Sequence, residues 1–520
     1  MANGPQTSFW EWRERLKARM RGWEGSGLAD GGADYQSGEA LTPVQERLVQ
    51  AIWAGQMFQP EGLRTVEGQP IRVLDPGRWN GAGGPDFKGA QLLIHDRTAV
   101  GDVEIHVLAS QWRAHGHERD LDYNGVILHV VLRNDDGATG DRLHNGSIIP
   151  RLELEPYVFP DLETIRRSVT PDDFPYDRPP TLGRCHEMMM SLEAPALAEL
   201  LDRAGDERFA AKIARVEAQS RAEDLDQVFY QTLMLGLGSG PGKSLYYLLA
   251  KRAPLADLLD EARPLPPEER RLGIEAILLH VGGLVPDAGE RTLPDEETRA
   301  YRERVHELWS RFAPAWSDRL MPPTRRWFRG LRPVNFPLRR LSAVAALLNR
   351  GLRTGRTPLA EAAAHLRALA PTLETAPATR RAHPAVRECV RWLRVEGDQT
   401  FWARRYTFAA EPAARPLDLI GEATARSLAL NAMLPALVVY ARRQEDAGLE
   451  RAARRLFEIF PALPPNHITT FMGRRLFGDS PRARDVFKTE RRQQALFQIF
   501  YACCSGEERH CDLCYYFKQG

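Results

Sequence analysis

Asp86, in the string Gly84-Pro85-Asp86-Phe87, and the run Asp102-Val103-Glu104-Ile105-His106 combine residue types that bind a divalent cation and handle a proton. From Asp102 to Val107 polar and apolar side chains alternate, so an extended strand sends Asp102, Glu104 and His106 to one face and Val103, Ile105 and Val107 to the other. An Asp heading one strand and an Asp-x-Glu-x-His run within the next can place two carboxylates and an imidazole around one point. Two carboxylates that close repel unless a cation lies between them, and magnesium favours such oxygen donors while keeping several waters. Asp86 and Glu104 are thus the expected ligands of Mg2+ or Mn2+. The ion would acidify a bound water, with His106 as the base or positioning group.

Further candidates surround this core. His115, His117, Asp120 and Tyr123 follow the Glu104 strand and are expected on one helix starting near Ser110. There His117, Asp120 and Tyr123 share a face that can meet a phosphate or a second metal, whereas His-x-His on a helix does not converge on one ion. Glu46 reads as an exposed helix residue and His129, inside an apolar strand, as a satisfied core residue. Cys504, Cys511 and Cys514 form C-x6-C-x2-C at the C-terminal end, and Cys185 can supply a fourth ligand from afar; zinc with Cys503 or His510 is a second arrangement. Cys389, in a helical stretch, reads as buried. Arg325, Arg326, Arg329 and Arg332, interleaved with Trp327 and Phe328 and followed by Arg339 and Arg340, suit phosphate contact and base stacking. Gly240-Pro241-Gly242-Lys243-Ser244 lacks the glycine that a phosphate loop needs at position 237, which is Leu, so no nucleotide triphosphate is expected.

The elements that must position these residues follow from periodicity. Thr42-Pro43-Val44-Gln45 has the cap, first-turn proline and third-position Gln of a helix start, predicting a helix to about Trp53. Strands are predicted over 71–74, 87–94 and 102–108, then a helix from Ser110 to about Tyr123, then an apolar strand over 125–132 that belongs at a sheet's centre, then a strand over 148–154. From about Asp161 long amphipathic stretches rich in Ala, Leu, Arg and Glu, broken by turns such as Pro264-Leu265-Pro266-Pro267, predict helices to about Phe500. The expected organisation is an extension over 1–40, an α/β domain over 41–160, an all-α domain over 161–500 and a cysteine segment over 501–520.

Length and composition set the outer bounds. A chain of 520 residues exceeds one ordinary core. Seventy basic against 69 acidic side chains leave a formal charge of +1, so no global field draws it to a polyanion and any such site must be local. No apolar run long enough for a membrane span and no secretory leader are read, and six cysteines, four in the last 18 residues, do not make a disulfide framework; a cytoplasmic location is expected.

The element order αβββαβ, with Pro85-Asp86 opening the second strand and Glu104-x-His106 in the third, resembles the PD-(D/E)XK nuclease superfamily. That resemblance implies a restriction-endonuclease-like mixed sheet, magnesium on Asp86 and Glu104, and His106 in the place of the usual lysine. One distant cysteine plus three C-terminal ones resembles the iron-sulfur staples of related nucleases, which implies a cluster on Cys185, Cys504, Cys511 and Cys514. A longer resemblance runs from Leu41 through the strings around Asp86, Glu104 and Trp112 to Val131, then Arg332-Pro333-x-Asn335-Phe336-Pro337, Asn431 to Pro435 and the terminal cysteines; it is to an uncharacterised bacterial family, domain of unknown function 2851. The expected function is metal-dependent hydrolysis of phosphodiesters in DNA or RNA. Its rival is a non-catalytic nucleic-acid-binding or assembly protein that keeps the fold, and a third reading is metal-dependent hydrolysis of another substrate.

Overall fold

The computed structural model describes residues 44–504 apart from 81–83, 172–173, 175–181, 184, 241, 287–292, 329–330, 376–382 and 398–399. The extension expected over 1–40 and the expected ligands Cys511 and Cys514 therefore lie outside the described residues. Two compact units emerge, one over 38–180 with 238–248 and one over 181–237 with 249 onward.

The first unit is a seven-stranded mixed sheet. Its first helix, α1 (Glu46–Gly55), buries Leu48, Val49, Ile52 and Trp53 against the sheet. The described helix starts at Glu46 with Gln45 in the cap position, and the predicted cap Thr42 is outside the described residues. Strands β1 (Ile71–Asp75), β2 (Arg78–Trp79), β3 (Phe87–Ile94), β4 (Arg97–Leu108), β5 (Val126–Arg133), β6 (Gly140–Arg142) and β7 (Ile148–Glu153) follow. The spatial order is β1-β3-β4-β5-β7-β6, with β2 paired to β3. Contacts β1/β3, β3/β4 and β6/β7 are antiparallel, while β4/β5 and β5/β7 are parallel.

Alternation places Val103 and Ile105 in the apolar core beneath α1, together with Phe87, Leu92, Leu128 and Val130. Burial of that face fixes the register, and Glu104 and His106 are thereby turned to the other side. β5 is buried almost throughout, as expected for the strand between two neighbours. β4 begins at Arg97 rather than Asp102, because the His95-Asp96 turn folds it back on β3 with Ile94 opposite Arg97. The short strands β2 and β6 escaped prediction, being too brief to show a period. At the β4–β5 seam Gly101 is required: a Cβ there would lie 2.4 Å from Ile127 Cγ2 and 2.8 Å from the Gly125 carbonyl.

The predicted helix from Ser110 to Tyr123 is corrected. Only α2 (Gln111–Ala114) is α-helical; Gly116, with φ of +75°, takes the left-handed conformation that ends helices, and two 3-10 turns follow, His117–Arg119 and Leu121–Tyr123.

The second unit is helical. Among its described elements are Ala194–Gln219, Leu225–Leu237, Pro337–Thr354 and Glu490–Ile499. The run 422–443, interrupted by a π-helical turn at Ala429–Met433, is the one described helix long and apolar enough to cross a membrane by length and composition; 67% of its most apolar window is buried in the fold, as in a core helix.

Candidate metal centre

Asp86 and Glu104 are locked to each other across β3 and β4. The Asp86 backbone N–H donates to Glu104 Oε2 at 3.0 Å, and the N–H of Ile105 donates to Asp86 Oδ2 at 3.0 Å. Gln50 of α1 completes the corner, its amide donating to Asp86 Oδ1 at 2.8 Å and to Glu46 Oε1 at 3.2 Å. Glu46, read from sequence as an exposed helix residue, is half-buried and joins the acidic group through Gln50. Burial first, and then the neighbouring Asp86 charge, push the Glu104 carboxyl well above the ordinary range, with Glu46 acting in the same sense and Lys88 against it.

Asp102, on the same face by alternation, is otherwise engaged: its Oδ2 lies 3.0 Å from Lys88 Nζ and its Oδ1 accepts from the Gly89 N–H. Lys88 is thus a cation beside the acidic group that sequence reasoning missed. Its signal was its place on β3, two residues after Asp86 and pointing to the same side.

His106 is fully buried and does not stand alone. Its Nδ1 is 2.9 Å from His129 Nε2, and its Nε2 is 3.1 Å from His115 Nδ1 and 3.7 Å from Glu104 Oε1. His117 Nε2 lies 3.4 Å from the same Glu104 oxygen. The break at Gly116 overturns the expectation that His115 and His117 diverge, because they now turn toward His106 together. Burial and the surrounding imidazoles hold His106 neutral, far below an ordinary histidine, and burial, then the His115 charge, bring His117 down to about 4.

Behind His106 runs a buried relay that the sequence did not announce. His129 Nδ1 is 2.7 Å from Asp141 Oδ2, and Arg151 clasps Asp141 through Nε at 3.0 Å and Nη2 at 2.6 Å. His129 is buried and hydrogen-bonded as expected, but its second nitrogen reaches the candidate site. Burial would raise the Asp141 carboxyl, yet hydrogen bonds from His129 and Arg151 outweigh it and hold it below the ordinary value. Asp141 is therefore a carboxylate that accepts the His129 Nδ1 proton. His129, kept neutral by burial, then accepts from His106 Nδ1–H, and His106 Nε2 is left as a lone pair facing Glu104.

Tyr123 stacks on His117 at 3.9 Å between ring centres, and buried Trp112 packs edge-on to both rings. Burial, then the Glu104 charge, raise the Tyr123 hydroxyl above its usual range. Asp120 is exposed, its Oδ1 accepts from the Asp122 N–H, and its charge acts on His117 and Tyr123.

The arginine segment divides between buried and exposed side chains. Arg326 is buried, Arg332 is exposed, and Arg329 lies outside the described residues, as does the side chain of Arg325. Arg339 is fully buried and donates to the carbonyls of Trp402, Leu417 and Asp418, while Arg340 donates to the Leu419 carbonyl at 3.0 Å. These guanidiniums close backbone carbonyls of the helical unit. Cys185, opening the helix Cys185–Ser191, and Cys504, ending the π-helical turn Phe500–Cys504, pack against one apolar cluster around Met472, Leu476 and Phe477. Cys389 is buried, and its thiol is pushed up to about 12 by that burial.

Fold and site together define an α/β sheet unit with a buried carboxylate–imidazole cluster, carried in one chain with a helical unit. Residues 46–464 match the family described as protein of unknown function DUF2851, and the chain belongs to that family. No curated protein and no solved structure matches the chain.

Proposed function

We propose that the protein is a metal-dependent nuclease that hydrolyses phosphodiester bonds in DNA or RNA. The observation that carries this reading is the pairing of Asp86 and Glu104 at the opening of β3, where the Asp86 N–H holds Glu104 Oε2 and the adjoining Ile105 N–H holds Asp86 Oδ2. Strand directions support it: β1, β3 and β4 form an antiparallel meander, β5 lies parallel to β4 after a crossover through α2 and two 3-10 turns, and α1 covers one face, an order that resembles the αβββαβ arrangement of a restriction-endonuclease-like core.

The donor set fits a magnesium-class ion, since buried Glu104 beside half-buried Asp86, with Glu46 close by, is stabilised by a hard divalent cation. When bound, such an ion acidifies water and offsets charge on the reacting phosphate. Asp86 and Glu104 would hold it, and Gln50 keeps the Asp86 carboxylate oriented. Lys88 supplies a fixed positive charge for a phosphate oxygen. His106, buried with Nδ1 committed to His129, suits holding a ligand better than exchanging protons with bulk water. The same reading assigns an iron-sulfur cluster or zinc to Cys185 and Cys504 with Cys511 and Cys514.

The test is cleavage of plasmid and single-stranded substrates with magnesium or manganese. Asp86→Asn and Glu104→Gln are each expected to lower the rate by roughly 100-fold or more. Cleavage untouched by both changes would overturn the assignment. Binding without cleavage by the unmodified protein would favour the non-catalytic alternative.

A further inference from the structure

We propose that His106, His115 and His117, closed by Glu104 Oε1, form a tetrahedral site for a borderline transition-metal ion of the zinc class, different in chemistry from the oxygen-donor site of Asp86. Each imidazole can offer one ring nitrogen such that all three lie within 4.8 Å of one another. Three edges of the figure are 3.1 Å from His106 to His115, 3.4 Å from His117 to Glu104 and 3.7 Å from His106 to Glu104. Zinc–nitrogen bonds of about 2.0–2.1 Å put neighbouring tetrahedral donors roughly 3.3 Å apart, close to these three edges, and the nitrogens still up to 4.8 Å apart close on one ion by rotation of the His115 and His117 rings. Imidazole donors select zinc, copper or iron, whereas all-oxygen sets suit magnesium.

Two independent features point the same way. His117 Nε2 is buried without a hydrogen-bond partner and faces the carboxylate. The Asp141–His129 pair takes the Nδ1 proton of His106, leaving its Nε2 lone pair directed into the cluster; carboxylate-to-imidazole support of this kind fixes the tautomer of metal-binding histidines. The site goes beyond the phosphodiesterase reading and shares with it only Glu104, whose Oε2 accepts from Asp86 N–H while Oε1 faces the imidazoles.

The experiment uses the full chain without an affinity tag, stripped with a chelator and titrated with Co2+ and then Zn2+. Expected is one equivalent giving the strong visible absorption of tetrahedral cobalt without a thiolate charge-transfer band, which separates it from any ion on the cysteines. Zinc should displace the cobalt and raise the melting temperature. His117→Ala and His115→Ala should each weaken that equivalent by roughly 100-fold. His115 is exposed, so its variant tests the site without burdening the fold. Absence of the nitrogen-ligated equivalent, or its survival in both histidine variants, would overturn the proposal. The readout is binding, so a failed cleavage assay leaves it standing, and a failed titration leaves the magnesium reading standing.

Discussion

His106 Nδ1 and His129 Nε2 face each other at 2.9 Å across the parallel seam of β4 and β5, and one proton must sit between them. Because Asp141 takes the other proton of the neutral His129, that bridging proton belongs to His106. His129→Phe removes the acceptor and should release the tautomer. Nitrogen-15 spectra of the imidazoles are expected to show His106 as a single Nδ1–H form in the native protein and as a mixture in the variant, with zinc affinity lowered about 10- to 100-fold. An unchanged His106 spectrum would refute the relay.

Arg151 is buried and bonded to Asp141, Asp136, Asn134 and the Ala138 carbonyl. Replacing it by Met leaves Asp141 as a charge with one partner removed. Urea unfolding of Arg151→Met should show a loss of about 3–5 kcal/mol. A loss under 1 kcal/mol would mean that Asp141 is compensated elsewhere.

In the helical unit His280 stacks on Trp309 with ring centres 4.6 Å apart, and burial pushes it down to about 4. The fold therefore holds it neutral while the unfolded chain takes up a proton below its ordinary value. Stability present above pH 6.5 is expected to fall as pH drops toward about 4 and to level off below, this residue contributing on the order of 2–3 kcal/mol. His280→Gln should flatten the difference between denaturation midpoints at those two pH values; an equal slope in both proteins would rule the assignment out.

Arg339 and Arg332 divide the arginine segment into a structural and a surface part. Arg339→Lys breaks a fan of bonds to buried carbonyls and should cost about 1–3 kcal/mol with nucleic-acid affinity unchanged. Exposed Arg332→Ala should leave stability alone, and a drop in affinity at low salt would mark this edge as a phosphate contact. Weaker binding from Arg339→Lys at full stability would contradict the structural role.

Much of the sheet was legible because its signals are local. Alternation from Asp102 to Val107 records which side chains join the apolar core beneath α1, and the strand 87–94 coincides with β3 for the same reason. The unbroken apolar run after Gly125 marks a strand with neighbours on both sides. Asp86 and Glu104 could be placed together from sequence because they belong to adjacent strands of one hairpin, where separation along the chain nearly sets separation in space.

The rest depended on tertiary structure. Whether Gly116 interrupts a helix is a choice between two conformations glycine adopts almost equally well, and burial of Trp112 and Tyr123 on either side decides it. The helix face inferred for His117 dissolved with that break, and the same break brought His115 and His117 to His106. His129, Asp141 and Arg151 come from β5, β6 and β7, so their alignment with His106 rests on inter-strand register, which no local pattern encodes. Residue types thus named the acidic corner of the site, while the imidazole corner exists only because the packed sheet fixes which distant side chains stand opposite one another.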